Sequence, residues 1–251
     1  MKEDILSYQV DRLSINDCVN EVFESLHRKQ GKGWLACLNP HSYVVALDDA
    51  DFALALKSSD WLVPDGVGVV YASRLLGGAV KMRVTGSDVF QDLHARMNTC
   101  TDMSVFFLGS SDDTLTTICT RMSKDFPNVH VAGTYSPPFK TVSSDAELNE
   151  MTRAINNASP DVLWVGMTAP KQEKWIFDNL HLLDVKFAGA VGAVFDFYAG
   201  KVKRSHPVFQ QLGLEWLPRL FQQPQRLWRR MFVSAPIFAW HVFKQFVRQH
   251  L

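Results

Sequence analysis

Asp65 stands between Pro64 and Gly66, where no regular helix can carry it on a solvated face. A carboxylate held at a strand-to-helix turn suits a general base or a ligand to a sugar hydroxyl. It equally suits a cap for a helix over 66–76. Three other polar runs follow short apolar runs in the same way: Asn39-Pro40-His41-Ser42, Gly166-Met167-Thr168-Ala169-Pro170-Lys171-Gln172-Glu173, and Gly192-Ala193-Val194-Phe195-Asp196. From Gly166 to Lys171 a strand passes into a helix through a small polar loop, which presents backbone N–H groups to an anion such as phosphate. The loop is neither a Walker motif nor a GxGxxG fingerprint, so ATPase and dinucleotide chemistry gain no support, and an ordinary connection reads much the same.

Other chemistries are argued against. Asp49-Ala50-Asp51 has the D-x-D spacing by which sugar-nucleotide enzymes hold a divalent metal, but it falls inside an amphipathic stretch, Tyr43–Ser58, and reads as its solvated face. The eight histidines show no H-x-x-x-H pair and no cysteine partner, and there is no G-x-S-x-G elbow. Cys18, Cys37, Cys100 and Cys119 form no close pair, which indicates neither a disulfide framework nor a zinc knuckle. No metal and no cofactor is expected, and a reduced cytoplasmic chain is the default.

The elements that must position these runs alternate. Strands are expected at Trp34–Leu38, Trp61–Val63, Ser104–Leu108, Val129–Gly133, Val162–Val165 and Val185–Ala190. Helices are expected at Tyr43–Ser58, Ser87–Met97, Asp113–Phe126 and Asp145–Asn157, with Ser42 and Ser87 as caps and 157–160 as a stop. This alternation predicts an α/β, Rossmann-like, mostly parallel sheet with helices on both faces, whose ligands gather at strand carboxyl ends. With 251 residues, 47% hydrophobic and 21% charged, the chain is too apolar for disorder and long enough for one large core.

The formal net charge of zero conceals an asymmetry. From Gly200 onward nine Lys/Arg face one acid, Glu215, and nine Phe/Trp are interleaved with them. Helices are expected at Leu212–Phe221 and Gln225–Gln249, with Pro236 kinking or breaking the second. The division expected is therefore a core over 1–199 and a basic, aromatic helical appendage over 200–251. Such a tail suits an anionic, partly greasy surface, although a helical pair docked on the core with solvated arginines explains the same pattern. The longest apolar run, Met231–Trp240, is half a membrane span and contains Pro236, and the N-terminus, with Lys2, Glu3 and Asp4, does not resemble a signal peptide.

Taken in order, the motifs resemble the WecG/TagA/CpsF family of bacterial glycosyltransferases. The matching segments are Asn39-Pro40-His41, Leu62 to Val69 (LVPDGVGV), Arg83-Val84-Thr85-Gly86-Ser87-Asp88, Phe107-Leu108-Gly109 and Gly133 to Phe139 (GTYSPPF). They continue with Gly166 to Glu173 (GMTAPKQE), Gly192 to Asp196 (GAVFD) and Gly213 to Leu220 (GLEWLPRL). Each is weak alone; the ordered set from Trp34 to Arg230 is specific.

The resemblance implies an inverting, metal-independent transferase acting at the inner face of the bacterial membrane. It would move a sugar from a UDP-sugar to a polyprenyl-diphosphate-linked sugar in cell-surface polysaccharide assembly, with N-acetylmannosamine or its uronic acid ahead of glucose. It places Asp65 as the general base, and Asn39 and Arg83 in the pocket. Gln172 falls in the nucleotide loop, and Thr85, Asp88, Gly166, Lys171 and Asp196 fall among the substrate-binding positions. Arg219, Arg226 and Arg229 would hold the diphosphate, and Arg226, Arg229 and Arg230 would share one helical face. Trp228, Phe232 and Phe238 would enter the bilayer interface. Many members carry Thr or another small residue at the position of Cys37, where a hydroxyl contact is therefore in question. Homo-oligomers remain open. Two rivals stand beside this reading: the same transferase with a soluble acceptor, and a non-enzymatic nucleotide-binding module whose basic tail grips nucleic acid. The second is weakened by the acidic core and by the absence of a recognisable nucleic-acid motif.

Overall fold

A computed structural model describes residues 1–28, 32–138, 145–202 and 228–250. The chain opens with an antiparallel hairpin, β1 (Lys2–Ile5) and β2 (Tyr8–Asp11), followed by helix α1 (Ile15–Leu26). Six further strands are β3 (Gly33–Leu38), β4 (Trp61–Pro64), β5 (Met103–Gly109), β6 (Val129–Tyr135), β7 (Val162–Gly166) and β8 (Phe187–Ala190). They form one parallel sheet in the order β4-β3-β8-β7-β5-β6. Every expected strand occurs, with its ends within two residues. The chain moves outward from β3 to β4 and, on the far side of β8 and β7, in the opposite direction from β5 to β6. Connections that diverge in this way open a crevice at the strand carboxyl ends.

Side-chain alternation along each strand feeds two cores. On β3, Trp34, Ala36 and Leu38 join one and Leu35 the other; on β7, Leu163 and Val165 oppose Val162 and Trp164. The first core is covered by α2 (Pro40–Asp48), α3 (Ala50–Ser58), α4 (Val67–Leu75), α7 (Asp145–Ala158) and α8 (Lys171–Asn179), together with a C-terminal helix α10 (Ala235–His250). The second is covered by α1, α5 (Gly86–Met97), α6 (Asp112–Asp125) and α9 (Val194–Tyr198). Both faces being buried, the strands read as continuous apolar runs. The hairpin is fastened to the sheet by buried Asp11, whose Oδ2 accepts from the Leu62 N–H at 2.8 Å.

Several local expectations are corrected. Tyr43–Ser58 is two helices, because Asp49 leaves the helical region (φ −130°, ψ 95°) and caps α3 by accepting from the Phe52 N–H at 2.9 Å. Its other carboxylate oxygen meets Lys174 Nζ at 2.8 Å, so Asp49 is a clamp between α3 and α8, while Asp51 is exposed as a solvated face requires. The cap of α2 is Asn39; Ser42 sits at the third helical position and completes a capping box. Thr85, not Ser87, caps α5 in the same way with Asp88. Pro236 does not break the last helix. The helical run from 228 widens into a five-residue π turn, Arg230–Ser234, and α10 begins directly after it. The Ala235 N–H reaches back to the Arg230 carbonyl, and the missing N–H of Pro236 falls where this wider turn hands over to α10. The helix expected at Leu212–Phe221 lies outside the described residues.

Candidate active site

A cavity of about 400 Å³ opens at the carboxyl ends of β3, β4, β7 and β8, and its walls are completed by the start of α5 and by the π turn. The volume suits a small-molecule ligand. Asn39, Asp65, Arg83, Thr85 and Gln172, expected from sequence, all line it.

The backbone fixes Asp65. Its N–H donates to the Leu38 carbonyl at 2.8 Å, joining it to the end of β3. Gly66, at φ 109°, is the N-cap of α4, so Asp65 stands one residue outside that helix. A left-handed φ of this kind favours glycine, which explains the Asp-Gly pair. The Val84 N–H donates to the Pro64 carbonyl at 2.9 Å, which brings Arg83 beside the same strand end. Asn39 Oδ1 accepts from the N–H groups of His41 (3.0 Å) and Ser42 (2.9 Å), leaving its Nδ2 as the group able to donate to a ligand.

The loop after β7 contributes Met167, Thr168 and Ala169 to the lining. Gln172, buried at the start of α8, ties that helix to the loop after β8: its Oε1 accepts from the Gly192 N–H at 3.0 Å, and its Nε2 donates to Glu173 Oε1 at 2.9 Å. Glu173 is only 3% exposed, lines the cavity, and is pushed up to about 7 by loss of water, against the lowering effect of the Gln172 bond. Its Oε2 is buried with no hydrogen-bond partner among the described residues. Cys37 faces the same space. Burial, and then the charges of Asp65 and Glu173, hold its thiol well above the usual range, so the position offers a neutral sulfur.

The tail supplies Arg230, Met231 and Ala235 to the lining. Three contacts hold it there. His41 Nδ1 and Ser234 Oγ share a hydrogen bond of 2.9 Å, and Tyr43 Oη and His241 Nδ1 one of 2.6 Å. Phe238 and Val242 are buried in the first core, with the Phe238 ring edge-on to Tyr43 at 5.5 Å.

Other expected positions lie elsewhere. Asp88 accepts from the Thr85 hydroxyl at 2.7 Å and borders a separate depression beside α5 and α9, outside the main cavity. Gly166 ends β7 against the Phe195 ring, where a Cβ would collide, so its smallness serves packing. Lys171 and Asp196 are half-buried and do not line the cavity. Arg229 is exposed and also outside the lining; Arg230, its neighbour, occupies the wall. Arg219 and Arg226 lie outside the described residues. Phe238, expected at a bilayer, is in the core, whereas Trp228, Phe232, Trp240 and Phe243 are about half exposed or more. Sequence reasoning did not single out Glu173 or His41. Glu173 follows Lys171 and precedes Lys174, and an acid in the first turn of a helix ordinarily reads as solvated.

The family model described as "Glycosyl transferase WecG/TagA/CpsF family" matches residues 3–251. Two curated relatives carry the name N-acetylglucosaminyldiphosphoundecaprenol N-acetyl-beta-D-mannosaminyltransferase. The protein from Bacillus subtilis (strain 168) is 33% identical over 214 residues, covering 84% of this chain and 79% of that one. The protein from Bacillus spizizenii (strain ATCC 23059 / NRRL B-14472 / W23) is 32% identical over 222 residues, covering 88% and 83%.

Proposed function

The chain belongs to the WecG/TagA/CpsF family and is a glycosyltransferase; on that premise we propose that it transfers N-acetylmannosamine, with inversion, from its UDP-sugar to N-acetylglucosamine linked through diphosphate to a polyprenol. The observation that carries this reading is one cavity, at the strand carboxyl ends, that places the Asp65 carboxylate with two guanidinium side chains, Arg83 and Arg230. In the transfer, the acceptor hydroxyl oxygen attacks the anomeric carbon and the bond from that carbon to the UDP oxygen breaks. Asp65 takes the hydroxyl proton, and UDP leaves with its negative charge, which the arginines stabilise through charge-assisted hydrogen bonds. No metal ion is assigned a step. Thr85, Ser87, Thr168 and Asn39 Nδ2 supply the polar contacts that orient a sugar nucleotide.

The outward aromatics Trp228, Phe232, Trp240 and Phe243, with Lys244 and Arg248 on the same helical run, would rest on an anionic membrane surface where the polyprenol acceptor resides. Among the described residues no helix is long and apolar enough to cross a membrane. The decisive experiment offers UDP-N-acetylmannosamine, its uronic acid and UDP-glucose separately, with a short-chain polyprenyl-diphosphate N-acetylglucosamine acceptor, in the presence and absence of EDTA. Turnover with the first donor, unchanged by EDTA, is expected. The Asp65→Asn variant should keep UDP affinity and lose about 10²–10⁴-fold in kcat. Near-normal turnover in that variant would mean that another group is the base.

A further inference from the structure

We infer that Glu173 is a sugar-binding residue: its Oε2 carries a proton and donates a hydrogen bond to an oxygen of the transferred sugar held beside Asp65. The inference rests on the transferase reading above and adds a contact that the reaction as described does not use.

A chain of donors fixes which carboxyl oxygen holds the proton. A backbone N–H can only donate, so the Gln172 atom facing Gly192 at 3.0 Å is the amide oxygen. The atom facing Glu173 is then the NH₂ group, which donates to Oε1 at 2.9 Å. Oε1 is the acceptor, and the proton of the neutral acid sits on Oε2. That oxygen is buried with no partner among the described residues, on a side chain that lines the cavity. A buried polar atom left unpaired is costly, and a ligand in the cavity is what can satisfy it.

Loss of water favours the neutral form. Cys37, at the end of β3, lines the same cavity as Asp65 and Glu173. The neighbouring Lys174 is engaged by Asp49, and no ion pair to Glu173 occurs among the described residues. Burial raises the carboxyl to about 7, so it is largely protonated below neutrality and ionises above it. The other titratable or charged groups on the cavity wall are Asp65 after β4, His41 on α2, Arg83 before α5, Cys37 on β3 and Arg230 on the π turn. Asp65 is the group assigned to the reacting hydroxyl, so what lies near it is the sugar and not the base of the nucleotide.

Calorimetry of the full-length protein with UDP and with UDP-N-acetylmannosamine, from pH 6 to 8.5, tests this. Wild-type affinity for the sugar nucleotide should fall about fivefold to tenfold across the range as the donor is lost. Glu173→Gln, which keeps a donor at the same place, should hold the low-pH affinity throughout. Glu173→Leu should bind the sugar nucleotide weakly at every pH, while UDP binds all three proteins alike. Any pH dependence that survives in Glu173→Gln belongs to another group of the cavity wall. A Gln variant as pH-sensitive as wild type would overturn the inference, as would equal losses for UDP and UDP-sugar. If Glu173→Leu does not fold, the near-isosteric Gln variant still decides the question. Failure of the wild type to bind UDP at all would remove the transferase reading itself, and this role with it.

Discussion

The site shows how much of a residue's role comes from what surrounds its polar atoms. Asp65 was legible because Pro64 and Gly66 bracket it, and local backbone chemistry writes directly into sequence. Glu173 was not, because the Gln172 amide that binds it is itself fixed by Gly192, beyond the end of β8, and Lys-Gln-Glu-Lys gives no local sign of that. His94 makes the same point in the second core. It is fully buried among Phe90, Phe107, Phe126 and Trp164, and its Nε2 accepts from Trp164 Nε1–H at 3.1 Å. Loss of water pushes it down from 6.5 to about 3. Between those values the unfolded chain binds a proton that the folded one refuses, so stability from this group is full above 6.5 and falls as the pH drops. Each pH unit in that window removes up to about 1.4 kcal/mol. Denaturant midpoints measured from pH 7 to 4 should fall less steeply for His94→Gln, which keeps the acceptor but does not titrate; equal slopes would contradict this account.

At the scale of elements, periodicity recovered every strand of the sheet but misplaced the caps. Asn39 and Thr85 were passed over because Ser42 and Ser87, each a few residues later, are equally good capping types, and only backbone angles separate them. The hairpin of β1 and β2 was missed for a different reason. Its turn uses Leu6 and Ser7 at φ 54° and 68°, without the glycine or asparagine that normally marks such a turn. The aromatic stripe of the tail could not be sorted into inside and outside, since Phe238 and Phe243 are the same residue type on the same helix. The structure separates them: Phe238 is 4% exposed and Phe243 49%. Phe238→Ala should therefore cost about 3–5 kcal/mol of stability and reduce turnover by loosening the wall that holds Arg230. Thermal unfolding and kcat measured together check both effects; a variant with unchanged melting would show that the helix is not docked through this ring.

For the molecule as a whole, basic charge and exposed aromatic area lie together on the outer face of the last helix, whose inner face buries Phe238 and Val242 in the core. Vesicles containing phosphatidylserine should bind the protein, and neutral vesicles or raised salt should release it, with each basic side chain near the surface worth about 1 kcal/mol. Replacing Trp240 and Phe243 with Ser should weaken flotation while leaving the melting temperature intact. Unchanged flotation would move the contact to another surface.

The π turn has a consequence for how these faces are timed. An α-helix advances about 100° per residue, so one extra residue in a turn offsets everything after it by roughly that angle. Arg230 and Met231 are in phase with the cavity, and Phe238 and Val242 with the core, although a single run of chain carries both. Without the offset, a helix that kept Phe238 buried would rotate Arg230 off the cavity wall. The inserted residue thus lets cavity lining and core packing be set as two separate phases of one helix.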